Sequence, residues 1–260
     1  MPYLPLLGVL LLAAISQSAP SSRIFGGQNT TIERYPSLVQ IEYYDPMSRI
    51  WEQKCMGNIL STNWVLTAAN CFGRRDRVEY MRIRAGSNDH GFGGSLHYVD
   101  VVRNHPDYYK AAPRDADVAV IKLLDPLVFS PSIQKANIAS RRIVVPDNYP
   151  VVHAGWGRNS TAGPSSFILQ DVTVYTVSRQ ECARRYAHIT PISITRNMIC
   201  AGVLDVGGRD VCNWNTGGPM YIGDILVGIM SFGNNCNDSY YPRISTSVPA
   251  YSDWIVANAR

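Results

Sequence analysis

Short apolar runs, broken every few residues by glycine, proline, asparagine or aspartate, fill the chain from Ile24 almost to its end. Ser37–Glu42, Trp64–Thr67, Val118–Lys122, Phe167–Val174 and Ile225–Met230 are examples, rich in valine, isoleucine and leucine. Runs this short suit strands better than helices, and β-branched side chains favour a pleated surface, so the pattern predicts an all-β fold. The C-terminus departs from it. Tyr251, Trp254, Ile255 and Ala259 follow Pro249 at spacings of one helical face, which predicts a short amphipathic helix over about 250–259. Residues 124–150 hold four prolines and little periodicity. That stretch suits a crossing between two halves, about 24–130 and about 140–247.

Leu4–Ile15 is an apolar run too short to cross a bilayer, followed by small residues suited to cleavage after Ser18. It reads as a signal peptide over residues 1–18, which predicts a secreted, extracellular protein with a short activation peptide at 19–23. No other stretch is long and apolar enough to span a membrane. Six cysteines, Cys55, Cys71, Cys182, Cys200, Cys212 and Cys236, contain no C-x-x-C pair and no cysteine–histidine cluster. In an exported chain this favours disulfides over metal ligation, with fifteen pairings open. The 24 basic and 20 acidic residues are scattered along the chain, so no basic stripe points to nucleic acid. Asn29, Asn159 and Asn237 open Asn-x-Ser/Thr sequons and are candidate glycosylation sites.

Four ordered segments carry a resemblance. Arg23-Ile-Phe-Gly-Gly27 looks like an activation cleavage site. Trp64-Val-Leu-Thr-Ala-Ala-Asn-Cys71 is similar to the segment that carries a catalytic histidine before its cysteine. Asp115-Ala-Asp-Val-Ala-Val-Ile-Lys-Leu123 resembles the strand that carries a catalytic aspartate. Gly208 to Pro219 is similar to the loop that carries the nucleophilic serine. Together they resemble the trypsin-like serine proteases, short insect trypsins in particular, from Ile24 to Arg260. The resemblance implies two six-stranded antiparallel β-barrels with the site in the cleft between them, and a C-terminal helix. It also implies the pairings Cys55–Cys71, Cys182–Cys200 and Cys212–Cys236.

The same resemblance places the triad at Asn70, Asp117 and Thr216. In the family mechanism a serine oxygen attacks, a histidine takes the proton and a buried aspartate orients the histidine. Asn70 replaces the histidine, and an amide has no basic lone pair near neutral pH. Asp117 is then expected to hydrogen-bond the Asn70 amide. Thr216 replaces the serine and carries a methyl that restricts its first torsion. Trp214 stands where a glycine supplies one oxyanion donor, the other coming from Thr216. Asn215 stands where an aspartate would receive the Ile24 amine after cleavage at Arg23. The specificity pocket falls to Asp210, Ser231, Gly233 and Arg243, with Arg243 in place of a wall glycine. Its guanidinium is expected to enter the pocket and pair with Asp210.

No cofactor or metal is implied, and the segment from Arg84 to His90 lacks a paired acidic calcium site. These substitutions predict a secreted non-catalytic homologue rather than an enzyme. It would act as a monomer by binding a protease, an inhibitor or a cascade component. The alternative is a divergent or residual serine-type endopeptidase of trypsin-like preference that uses Thr216.

Overall fold

In a computed structural model the described residues are 27–73, 76–157, 166–206, 216–234 and 238–260. The strands in chain order are β1 (Gln28–Asn29), β2 (Leu38–Asp45), β3 (Ile50–Ile59), β4 (Trp64–Thr67), β5 (Met81–Ala85), β6 (Ser95–Asn104) and β7 (Ala119–Leu123). They continue with β8 (Asn137–Ile138), β9 (Pro150–Gly155), β10 (Gln170–Val177), β11 (Met198–Gly202), β12 (Pro219–Ile222), β13 (Ile225–Phe232) and β14 (Arg243–Ser247). Strands β2-β3-β4-β7-β6-β5 close one antiparallel barrel, with β2 pairing β5. The second runs β10-β11-β14-β13-β12-β9 and closes through β9 against β10. The short strands β1 and β8 lie outside both rings, β1 on β10 and β8 parallel to β13. This is the two-barrel architecture expected from the sequence.

Strand β2 shows how the barrels are built. Val39, Ile41 and Tyr43 point into the first barrel with Val65, Ile83 and Ile121. Leu38 joins a cluster shared with Met56, Leu66, Val120, Val151, Val172 and Ile229, which binds one barrel to the other. Both faces of β2 are covered, so its polar residues need partners. Glu42 meets that need by accepting from Arg82 Nε and Arg84 Nε, each at 2.6 Å.

Two helices complete the fold. Helix α2 (Val248–Asn258) has proline in its first turn, where its missing N–H costs nothing. Helix α1 (Arg179–Tyr186) was not apparent from the apolar pattern because it is charged and short. Its signal is a capping serine: Ser178 Oγ accepts from the Glu181 N–H at 3.2 Å, a Ser-x-x-Glu start.

Two bridges are present, Cys55–Cys71 and Cys182–Cys200, while Cys212 and Cys236 lie outside the described residues. The first joins β3 to the 3-10 turn Ala69–Cys71, which carries Asn70. It closes a loop with a sequence separation of 16, and a loop of that length restricts the unfolded chain by about 3 kcal/mol. Replacing both Cys55 and Cys71 by alanine is therefore expected to lower the unfolding free energy by about 3 kcal/mol, read from urea denaturation.

Candidate active site

The site forms where the two barrels meet, around a carboxylate with no solvent exposure. Asp117 leads into β7 and is fully buried. A carboxylate so placed must be met by donors, and they come from both barrels. Asn70 donates twice, from its backbone N–H to Oδ1 and from Nδ2 to Oδ2, each at 2.7 Å. Ser231 Oγ on β13 makes a short hydrogen bond to Oδ2. Thr246 Oγ1 on β14 donates to the Asp117 carbonyl at 2.8 Å. Burial outweighs the donors from Ser231 and Asn70 and raises the Asp117 carboxyl to about 6.

Asn70 sits in the 3-10 turn Ala69–Cys71, half-buried. Its second amide hydrogen goes to the Ser231 carbonyl at 2.8 Å. Both N–H bonds of Nδ2 are thus committed, and the amide carbonyl remains as an acceptor. Thr216 is held from the other side, its carbonyl accepting from the Met56 N–H at 2.8 Å. Beside it, the Gly217 carbonyl accepts from Asn58 Nδ2 at 3.0 Å. Gly217 adopts a φ of 82°, and a side chain there would run into the Met56 carbonyl and the Thr67 hydroxyl. Glycine at 217 is thus required for Thr216 to lie against β3.

Three of the described histidines are engaged with other partners. His97 contacts Ser95 Oγ at 2.9 Å, His105 packs between the rings of Tyr251 and Trp254, and His153 Nδ1 lies 2.9 Å from the Pro219 carbonyl. Two further residues edge the site. The Arg114 guanidinium lies 5.0 Å from the ring centre of Phe232, and its charge favours ionised Asp117. Arg243 is buried at 6% exposure, with its side chain against Gly233.

Ser231, expected to line the pocket, directs its hydroxyl to Asp117. Thr246 and Arg114 went unnoticed, because hydroxyls and an exposed-looking arginine carry no sequence pattern. Asn29 is exposed on β1, with Oδ1 accepting from Gln170 Nε2 at 3.1 Å. Arg23, Ile24, Asn159, Asp210, Trp214, Asn215 and Asn237 lie outside the described residues. Among the described residues, no group of three His, Cys, Asp or Glu side chains could hold a metal ion, and no helix is long and apolar enough to cross a membrane.

The trypsin family model matches residues 24–255. The chain is 38% identical to "Trypsin, alkaline C" of Manduca sexta over 257 residues, 99% of each chain. It is 36% identical to "Trypsin" of Phaedon cochleariae over 256 residues, 97% of this chain and 95% of the relative. It is also 34% identical to "Achelase-1" of Lonomia achelous over 241 residues, 91% of this chain and all of the relative. These matches correct the expectation that the chain is not an enzyme. Relatives named as trypsins align with it almost end to end, and the substitutions Asn70 and Thr216 lie within a framework that still buries and hydrogen-bonds Asp117. The expectation rested on Asn70, Thr216, Trp214, Asn215 and Arg243, and all five lie within the span that the trypsin model matches. The chain belongs to the trypsin family of serine proteases.

Proposed function

We propose that the protein is a secreted, divergent serine-type endopeptidase that uses Thr216 as its nucleophile. The observation that carries this reading is the Asp117–Asn70 pair, held in place by Ser231, with Thr216 anchored beside it on β3. The apolar run Leu4–Ile15 and the two bridges support secretion.

The chemistry follows from what an amide can do. Asn70 keeps its orientation through Asp117, and its carbonyl can accept a hydrogen bond from the attacking hydroxyl but cannot take the proton. As Thr216 Oγ1 attacks the scissile carbonyl, that proton passes to water. The C–N bond breaks, the amine leaves protonated by solvent, and a second water hydrolyses the threonyl ester. Losing the general base in a related mechanism costs roughly 10⁶-fold. Binding and backbone donors still leave about 10³–10⁴-fold over water. The activity is accordingly slow.

A fluorophosphonate carries a better leaving group than an amide, so on prolonged incubation at high concentration it should label the wild-type protein at Thr216, mapped by mass spectrometry, and leave Thr216→Ala unlabelled. No labelling of folded wild-type protein rejects the reading. Asn70→His restores a base and should raise kcat/KM on a protein substrate by about 10²–10⁴-fold.

Ionised Asp117 holds the Nδ2 of Asn70, so kcat/KM should rise with pH through about 6 and level off above it. Stability runs the other way. The folded carboxyl titrates at about 6 against an ordinary 3.8, so the folded state binds the extra proton between these values. Stability should then fall by roughly 3 kcal/mol as pH rises from about 4 to about 6. Denaturation of Asp117→Asn across that window should show this slope removed.

A further inference from the structure

Arg243 opens β14, where it pairs with Ala201 of β11, while its neighbour Ile244 pairs with Phe232 of β13. Arginine is seldom buried without partners, yet only 6% of Arg243 is exposed. Its side chain lies flat on the backbone at Gly233. A Cβ built there would overlap Nη1 and Cδ and stand 3.0 Å from Cζ. Gly233 follows Ser231 and Phe232, the residues that hold Asp117 and receive Arg114. The guanidinium therefore occupies the space over Gly233, two residues along the chain from the Ser231 that holds Asp117. A buried guanidinium keeps its charge and is stable only when hydrogen-bonded or paired. Arg243 does have such interactions, so it is held in this position rather than left to swing outward.

We propose that Arg243 is a built-in plug of the substrate pocket beside Gly233, one that shuts out arginine and lysine side chains and leaves short uncharged ones as the substrate class. The proposal rests on the endopeptidase reading for its substrates, though not for its geometry. A second cation brought to the same space meets a like charge and finds the volume already taken. A methyl or hydroxymethyl side chain needs neither the volume nor a counter-charge. The trypsin-like preference weighed from the sequence is thereby reversed, even with an aspartate at position 210.

Benzamidine, a planar cation shaped like an arginine head group, tests the plug without any turnover. Calorimetric titration of the wild-type protein should show no binding tighter than about 1 mM, while Arg243→Gly and Arg243→Ser should bind at least about tenfold more tightly than that. Wild-type binding tighter than this limit overturns the proposal, and needs no variant to fold. Absence of binding by either variant that unfolds cooperatively overturns it as well. Peptidyl phosphonates give the specificity. The alanine probe should label wild-type Thr216 about tenfold faster than the arginine probe, a difference of about 1.4 kcal/mol, and Arg243→Gly should reverse that order. Faster labelling of the wild type by the arginine probe overturns the plug. Complete failure of labelling rejects the endopeptidase reading instead, and benzamidine then decides the plug alone.

Discussion

The cleft depends on one buried carboxylate. Asp117 draws donors from the turn that carries Asn70 and from β13 and β14 of the other barrel. An ionised carboxylate without water costs several kcal/mol unless it is met in this way. Separating the barrels would strip Ser231 from the carboxylate and Thr246 from the Asp117 backbone carbonyl, so the bonds around Asp117 also fix the relative position of the barrels. The apolar cluster shared by Leu38, Met56, Val151 and Ile229 supplies non-directional adhesion across the same seam. The hydrogen bonds at Asp117 supply the direction.

That arrangement tolerates asparagine at position 70 for a physical reason. An imidazole in this place would donate one ring N–H to the aspartate, and the Asn70 amide donates an N–H to the same oxygen region. Orientation survives the substitution while proton acceptance does not. The amide even gains a second hydrogen bond, to the Ser231 carbonyl, and so ties the first barrel to β13 more firmly. Position 216 follows the same logic: the bond from the Met56 N–H to its carbonyl and the glycine at 217 place the backbone whatever hydroxyl the side chain carries.

Much of this was legible in the chain. The β-runs Trp64–Thr67 and Ile225–Met230 fall on β4 and β13, because period and composition are local properties that a strand cannot hide. The C-terminal helix was announced by Pro249 and its spaced apolar residues. Helix α1 was missed because its capping pair, Ser178 and Glu181, is polar and its apolar face is small. The expectation of no enzymatic function, drawn from Asn70, Thr216, Trp214, Asn215 and Arg243, failed for a different reason: single residue identities do not report the end-to-end likeness to relatives named as trypsins.

The sequence by itself determined the two-barrel family, the strand pattern and the chemical identity of Asn70, Asp117 and Thr216. Only the tertiary structure decided which groups answer Asp117 and where Arg243 goes. Ser231 and Thr246 lie 114 and 129 residues beyond Asp117. A hydroxyl that far away leaves no periodic trace, because strand and helix patterns record neighbours within a few residues. The burial of Arg243 likewise depends on Gly233 lacking a side chain across a strand pair, a vacancy that exists only once β13 and β14 are side by side.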